Sequence, residues 1–142
     1  MLKGINTVLS PELLKILCEM GHGDEIVIAD ANFPAVSLGK RLVRADGIGA
    51  DILLDAILGV FPLDHYVGEQ VVLMEVAKGD SVIPKIWVEY EKMISKYDPR
   101  ANIIRIERQE FYNRAQRAYA VVATGERAQY GNILLKKGVI QE

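Results

Sequence analysis

The chain has 142 residues, half of them hydrophobic, and 17 basic against 19 acidic residues leave a formal charge of −2. That length suits one ordinary domain with a real core. The near-neutral balance, with its scattered lysines and arginines, argues against nucleic acid or an anionic membrane as the main partner.

Ser10-Pro11-Glu12 reads as a helix start: a capping hydroxyl, a proline at the first helical position and an acid at the positive end of the dipole. Leu13, Leu14, Leu17 and Cys18 recur at helical spacing, which predicts Cys18 as a small buried hydrophobe, and Gly21 or Gly23 stops the helix. The lone cysteine permits no internal disulfide and fits a reducing compartment. No segment reaches the length of a membrane span, and the N-terminus lacks a signal peptide's apolar run. A cytoplasmic location is the expectation.

Residues 25 to 31 form a near-continuous apolar run, IVIA, typical of a strand buried on both faces, broken at Asn32-Phe33-Pro34. Residues 41 to 45 make a short strand before the turn signal Asp46-Gly47. Over residues 51 to 60 the pattern predicts a helix burying Ile52, Leu53, Ala56, Ile57 and Val60, ended by Pro62. A strand follows at 70–77, a long amphipathic helix at 84–97, a strand at 102–107 and a short polar helix at 109–117. Strands at 119–124 and 130–139 close the chain. Alternating helix and strand argue for a single-domain α/β fold, with a mixed, mostly parallel sheet flanked by helices.

Strong motifs are absent: no GxGxxG, no GxxxxGK[ST], no CxxC and no GxSxG. Gly47-x-Gly49 ahead of a helix is a weak phosphate signal. Two histidines, His22 and His65, do not make a convincing zinc site, and no metal or cofactor is expected. What remains is polar residues at strand ends. His22 lies between two glycines, and an imidazole is the natural acid–base group near neutral pH. Its structural alternative is a contact with the carbonyl end of the first helix. Asp30 closes a buried strand, where α/β sheets place ligand contacts; its alternative is a cap for the Asn32-Phe33 turn. Arg108 ends another strand, with a surface ion pair to Glu107 or Glu110 as its alternative. Tyr130 and Asn132 flank Gly131, a backbone that can approach a ligand closely, beside donors and acceptors suited to sugar hydroxyls. The alternative there is a tight hairpin turn. His65 reads as a surface residue.

Several stretches in one order carry a resemblance: MGHGDEIVIADANFP at 20–34, RADG at 44–47, FYNRAQ at 111–116 and TGERAQYGNILLKKGV at 124–139. Together they resemble the family of L-fucose mutarotases and D-ribose pyranases, from residue 10 almost to the C-terminus. The resemblance implies a cofactor-free enzyme that interconverts the α and β anomers of L-fucose. His22 would be the proton donor, with Asp30, Arg108, Tyr130, Gly131 and Asn132 on the sugar and Tyr119 a secondary candidate. Arginine at 108 and Tyr-Gly-Asn at 130–132 favour the fucose branch over pyranose–furanose interconversion of ribose. A non-catalytic sugar-binding protein is the alternative from another class. The resemblance also implies a ring-shaped homo-oligomer, a decamer, with sites shared between subunits. That matters because a straight strand of residues 25 to 30 separates its ends by about 17 Å at 3.3 Å per residue. His22 precedes that strand and Asp30 ends it.

Overall fold

A computed structural model describes residues 1–142. In chain order the elements are α1 (Pro11–Glu19), β1 (Glu25–Ala29), α2 (Ala35–Leu38), β2 (Leu42–Ala45), α3 (Ala50–Leu58), β3 (Val71–Met74), α4 (Ile86–Tyr97), β4 (Ile103–Ile106), α5 (Arg108–Arg117), β5 (Ala120–Thr124) and β6 (Ile133–Lys136). The six strands make one sheet in the order β2-β5-β1-β6-β3-β4. Only β6 runs antiparallel to its neighbours β1 and β3; the other pairings are parallel. This is the α/β architecture with a mixed, mostly parallel sheet that the alternation of elements predicts.

Both sheet faces are covered, which explains the continuous apolar runs. Ile26 and Ile28 point to one face, where Leu13, Leu53, Ile57 and Tyr90 meet them. Val27 and Ala29 point to the other, against Phe111 and Ala115. Each fully buried Ile or Leu contributes roughly 1.5–3 kcal/mol, so the layers hold the strand ends firmly. In α1 the Ser10 hydroxyl accepts from the Leu13 amide at 3.1 Å, as the capping signal predicts.

Two expectations fail locally, at Cys18 and in the helix over 51–60. Cys18 is exposed, because the buried stripe of α1 is Leu13, Ile16 and Leu17, which turns the next residue outward. In α3, Ile52 is exposed while Leu54 and Leu58 are buried, and Val60, just past the helix, is exposed too. That helix packs against both the sheet and α4, so its buried stripe is wider and differently rotated than a single apolar face implies; it ends at Gly59, not Pro62. The four-residue α2 is too short to carry a period. The last two strands form no hairpin: β5 and β6 lie on opposite sides of β1.

Candidate active site

The carboxyl ends of β1, β3, β4 and β5 lie at one edge of the sheet, and the antiparallel β6 brings its amino end there too. This is where ligands bind in open α/β sheets. Asp30 follows β1 and Asn132 precedes β6, 102 residues apart in sequence. The Asp30 amide donates to Asn132 Oδ1 at 2.8 Å, and Asn132 Nδ2 donates to Asp30 Oδ2 at 3.0 Å. The other carboxylate oxygen accepts from the Asn32 amide at 2.9 Å, so Asp30 does cap the turn while also lining the site. Burial raises the Asp30 carboxyl above the usual carboxylate range; hydrogen bonds from the Asn32 and Gly131 amides and from Asn132 oppose this only in part.

The segment 130–132 is anchored from α4. Trp87 Nε1 donates to the Tyr130 carbonyl at 2.9 Å, and the buried Tyr90 hydroxyl donates to the Gly131 carbonyl at 2.6 Å. A Cβ at Gly131 would stand 3.0 Å from the Ala128 carbonyl oxygen and 3.5 Å from the Asp30 Cβ, so glycine permits the close approach to Asp30. Tyr130 holds a left-handed φ of 58°, a strained conformation for a bulky residue. Its hydroxyl donates to Asp80 Oδ2 at 2.6 Å and accepts from the Ala77 amide at 3.3 Å. That donation holds the Asp80 carboxyl below its ordinary range and pushes the Tyr130 phenol up.

Around these groups lies an open cavity of about 300 Å³. Its polar lining is Asp30, Asn32, Arg108, Gln129, Tyr130 and Asn132; Phe33, Met74 and Tyr112 supply the apolar part. Arg108 is the first residue of α5 and is exposed. Neither expected ion-pair partner takes it: the Glu107 carboxylate instead caps the helix through the Gln109 and Glu110 amides. The glycines before α3 hold no open phosphate cradle, since the Glu126 carboxylate already faces the Ala50 amide at 3.3 Å.

His22 lies at the opposite edge of the sheet, on the loop before β1, so one chain does not bring it to this cavity. Its Nε2 is 3.0 Å from Asp64 Oδ1. Asp64 is buried, with only 2% of its surface exposed, and also accepts from the Tyr66 amide at 3.0 Å. Burial works against its ionisation, but the Tyr66 and His22 contacts outweigh burial and set its pKa below the ordinary value. An ionised carboxylate only accepts, so Nε2 carries the proton and Nδ1 is the free ring nitrogen. The carbonyl end of α1 is served by Lys137, whose Nζ donates to Leu17 and Met20, rather than by His22. Asp64 is the residue that sequence reasoning missed. The only available signal was an acid inside the Pro-Leu-Asp-His-Tyr loop, 42 positions away from His22.

Tyr119 also falls outside the cavity. It sits at the amino end of β5, donating to Glu19 at 3.2 Å with the Arg41 guanidinium 3.9 Å over its ring. His65 is exposed and pairs with Asp98. No group of three or more His, Cys, Asp and Glu side chains is arranged to hold a metal ion.

Residues 3–140 match the model of the RbsD / FucU transport protein family. An L-fucose mutarotase of Haemophilus influenzae is 55% identical over 140 residues, 98% of this chain and 97% of that protein. Among solved structures, the fucose mutarotase of Streptococcus pneumoniae in complex with L-fucose superposes with a TM-score of 0.94 at 50% identity, covering 99% of this chain and all of that one. The Bacillus subtilis RbsD complexed with D-ribose is more distant, with a TM-score of 0.73 at 26% identity over 99% of this chain and 100% of that one.

Proposed function

The chain belongs to the RbsD / FucU transport protein family, and from that membership we propose that it is a mutarotase that interconverts the α and β anomers of L-fucose. The observation that carries this is 55% identity to an L-fucose mutarotase across nearly both full lengths. The polar cavity at the carboxyl edge of the sheet supports it, because it converges a carboxylate, an amide, a guanidinium and a phenol on a space of sugar size. The ribose pyranase reading is weaker, since the ribose-bound relative is half as similar.

Asp30 and Asn132 hold each other and present their remaining lone pairs and N–H to sugar hydroxyls. Arg108 supplies a free cation at the rim. Mutarotation opens the hemiacetal and closes it on the other face of C1. One group protonates the ring oxygen as the C1–O bond breaks; another takes the anomeric hydroxyl's proton. The Tyr130 proton already points to Asp80, so its oxygen offers a lone pair to that hydroxyl. The proton passes to Tyr130 while the phenol's own proton moves to Asp80. His22 is the acid: as the imidazolium, stabilised by the Asp64 carboxylate, it gives its Nδ1 proton to the ring oxygen and is left as the neutral tautomer whose Nε2–H Asp64 holds. No metal or cofactor enters these steps.

His22 and Asp30 serve one sugar if His22 comes from a neighbouring copy. We take the working unit to be a cytoplasmic ring of this chain, a decamer, with each cavity completed by the next subunit's His22–Asp64 pair. The test is saturation transfer between the anomeric proton resonances of L-fucose, with and without protein, followed by a mixing experiment. His22→Ala and Asp30→Ala are each expected to slow exchange by about a hundredfold or more. Reassembled together in equal amounts they should recover about a quarter of the sites, since each site then draws its two halves from different chains. No exchange by the wild-type protein refutes the mutarotase reading. Exchange without recovery on mixing refutes the shared site.

A further inference from the structure

We propose that Phe33 and Met74 form a specificity corner that receives the C6 methyl of a 6-deoxy sugar and disfavours its 6-hydroxy counterpart. The proposal rests on the sugar mutarotase reading and deepens it.

The cavity lining is chemically mixed. Asp30, Arg108, Tyr130 and Asn132 supply charges, donors and acceptors, whereas Phe33 and Met74 offer only carbon and a thioether. Both apolar side chains are nearly buried, 9% and 3% exposed, yet both line the cavity. The Phe33 ring is braced on two sides. Tyr112 meets it edge to face with centroids 5.5 Å apart, and Phe111 does so at 6.0 Å. Met74 ends β3, where it is paired with Ile106 of β4. The corner is therefore stiff, and moving it to accommodate a new polar group would disturb the core behind it.

L-Fucose has hydroxyls on C1 to C4 and one substituent that needs no hydrogen bond, the methyl on C5. Placing the hydroxyls on the Asp30–Asn132 side leaves the methyl as the part that suits Phe33 and Met74. L-Galactose has the same stereochemistry with a hydroxyl on that carbon, and D-arabinopyranose lacks the carbon altogether. In the corner the added hydroxyl loses its water and gains no partner, while the missing methyl forfeits contact. An apolar pocket rejects an added hydroxyl by up to about 10²-fold, and one missing carbon costs about 10–200-fold.

The experiment compares anomeric exchange for L-fucose, D-arabinose and L-galactose with the wild-type protein and with Met74→Gln, which puts an amide of similar length in the corner. The expected result is L-fucose fastest by about tenfold or more over both other sugars, with the L-galactose to L-fucose ratio rising about tenfold in Met74→Gln. L-Galactose within about threefold of L-fucose in the wild type overturns the corner while leaving the mutarotase reading intact. A folded Met74→Gln with an unchanged ratio also overturns it. If that variant does not fold, the wild-type ratios decide alone. Exchange of none of the sugars removes the mutarotase reading, and the corner falls with it.

Discussion

Replacing Tyr90 with Phe removes a single oxygen atom from the middle of the protein. Tyr90 is fully buried, and its hydroxyl donates to the Gly131 carbonyl at 2.6 Å. Burial, with the negative charges of Glu126, Asp51 and Asp30 nearby, pushes the phenol far above its ordinary range, so the donor persists at every working pH. The phenylalanine ring fills the same space but leaves the carbonyl unpaired in the core. Leaving a buried acceptor without its partner costs about 1–3 kcal/mol. For 142 residues at roughly 2.1 cal/mol/K each, the unfolding entropy is about 0.3 kcal/mol/K, so a loss of ~2 kcal/mol lowers Tm by ~7 °C. Thermal and urea melts of both proteins should be compared at one fixed concentration, because assembly makes Tm concentration-dependent. Affinity for L-fucose should fall only several-fold, since Trp87 still holds the Tyr130 carbonyl and the Asp30–Asn132 bonds are untouched. A Tm within about 1–2 °C of the wild type would show that this hydrogen bond does not anchor the segment, and the reasoning would fail.

His22→Ala should slow L-fucose exchange by roughly 10²–10⁴-fold while L-fucose still binds, as saturation-transfer difference spectra can report; loss of binding instead would make His22 a binding group rather than the acid. Asp64 has a lowered pKa, so the stability that it contributes is complete above its ordinary value near 3.8 and is lost as the pH falls through the lowered value. Asp64→Asn should therefore melt earlier than the wild type in urea at pH 7, with the gap closing below about pH 4; a gap that widens on acidification reverses the sign and refutes the assignment. Arg114 makes a bidentate pair with Glu25 and a further contact with Glu69, with only 14% of its side chain exposed. Arg114→Gln should cost about 2–3 kcal/mol in urea unfolding, because Glu25 is left half-buried beside Lys136 alone; a cost below about 0.5 kcal/mol would place the pair among the weak surface bridges. Asn132→Ala strips the Asp30 amide and carboxylate of their buried partner, so isothermal titration should show L-fucose affinity lowered at least tenfold, and unchanged affinity would exclude the pair from the sugar site.

The sequence by itself determined the elements and their class. Ser10-Pro11 started α1 because a hydroxyl and a pre-set φ satisfy a helix's first turn locally. The runs at 26–29 and 120–123 announced strands buried on both faces because every residue in them is apolar. Asp30 and Arg108 stood out because residues just beyond strand ends are where an α/β sheet meets ligands. Local chemistry could not report contacts between distant segments. The antiparallel insertion of β6 between β1 and β3 brings Asn132 to Asp30, a pairing that the local reading of 130–132 as a sugar contact or a hairpin turn did not contain. The His22–Asp64 pair joins two loops that share no periodicity, and the rotation of α1 that exposes Cys18 depends on which side the sheet lies. Tertiary packing decided these because burial and hydrogen bonding at such positions depend on the surroundings that other segments supply, and neither can be read from a residue's own neighbours in the chain.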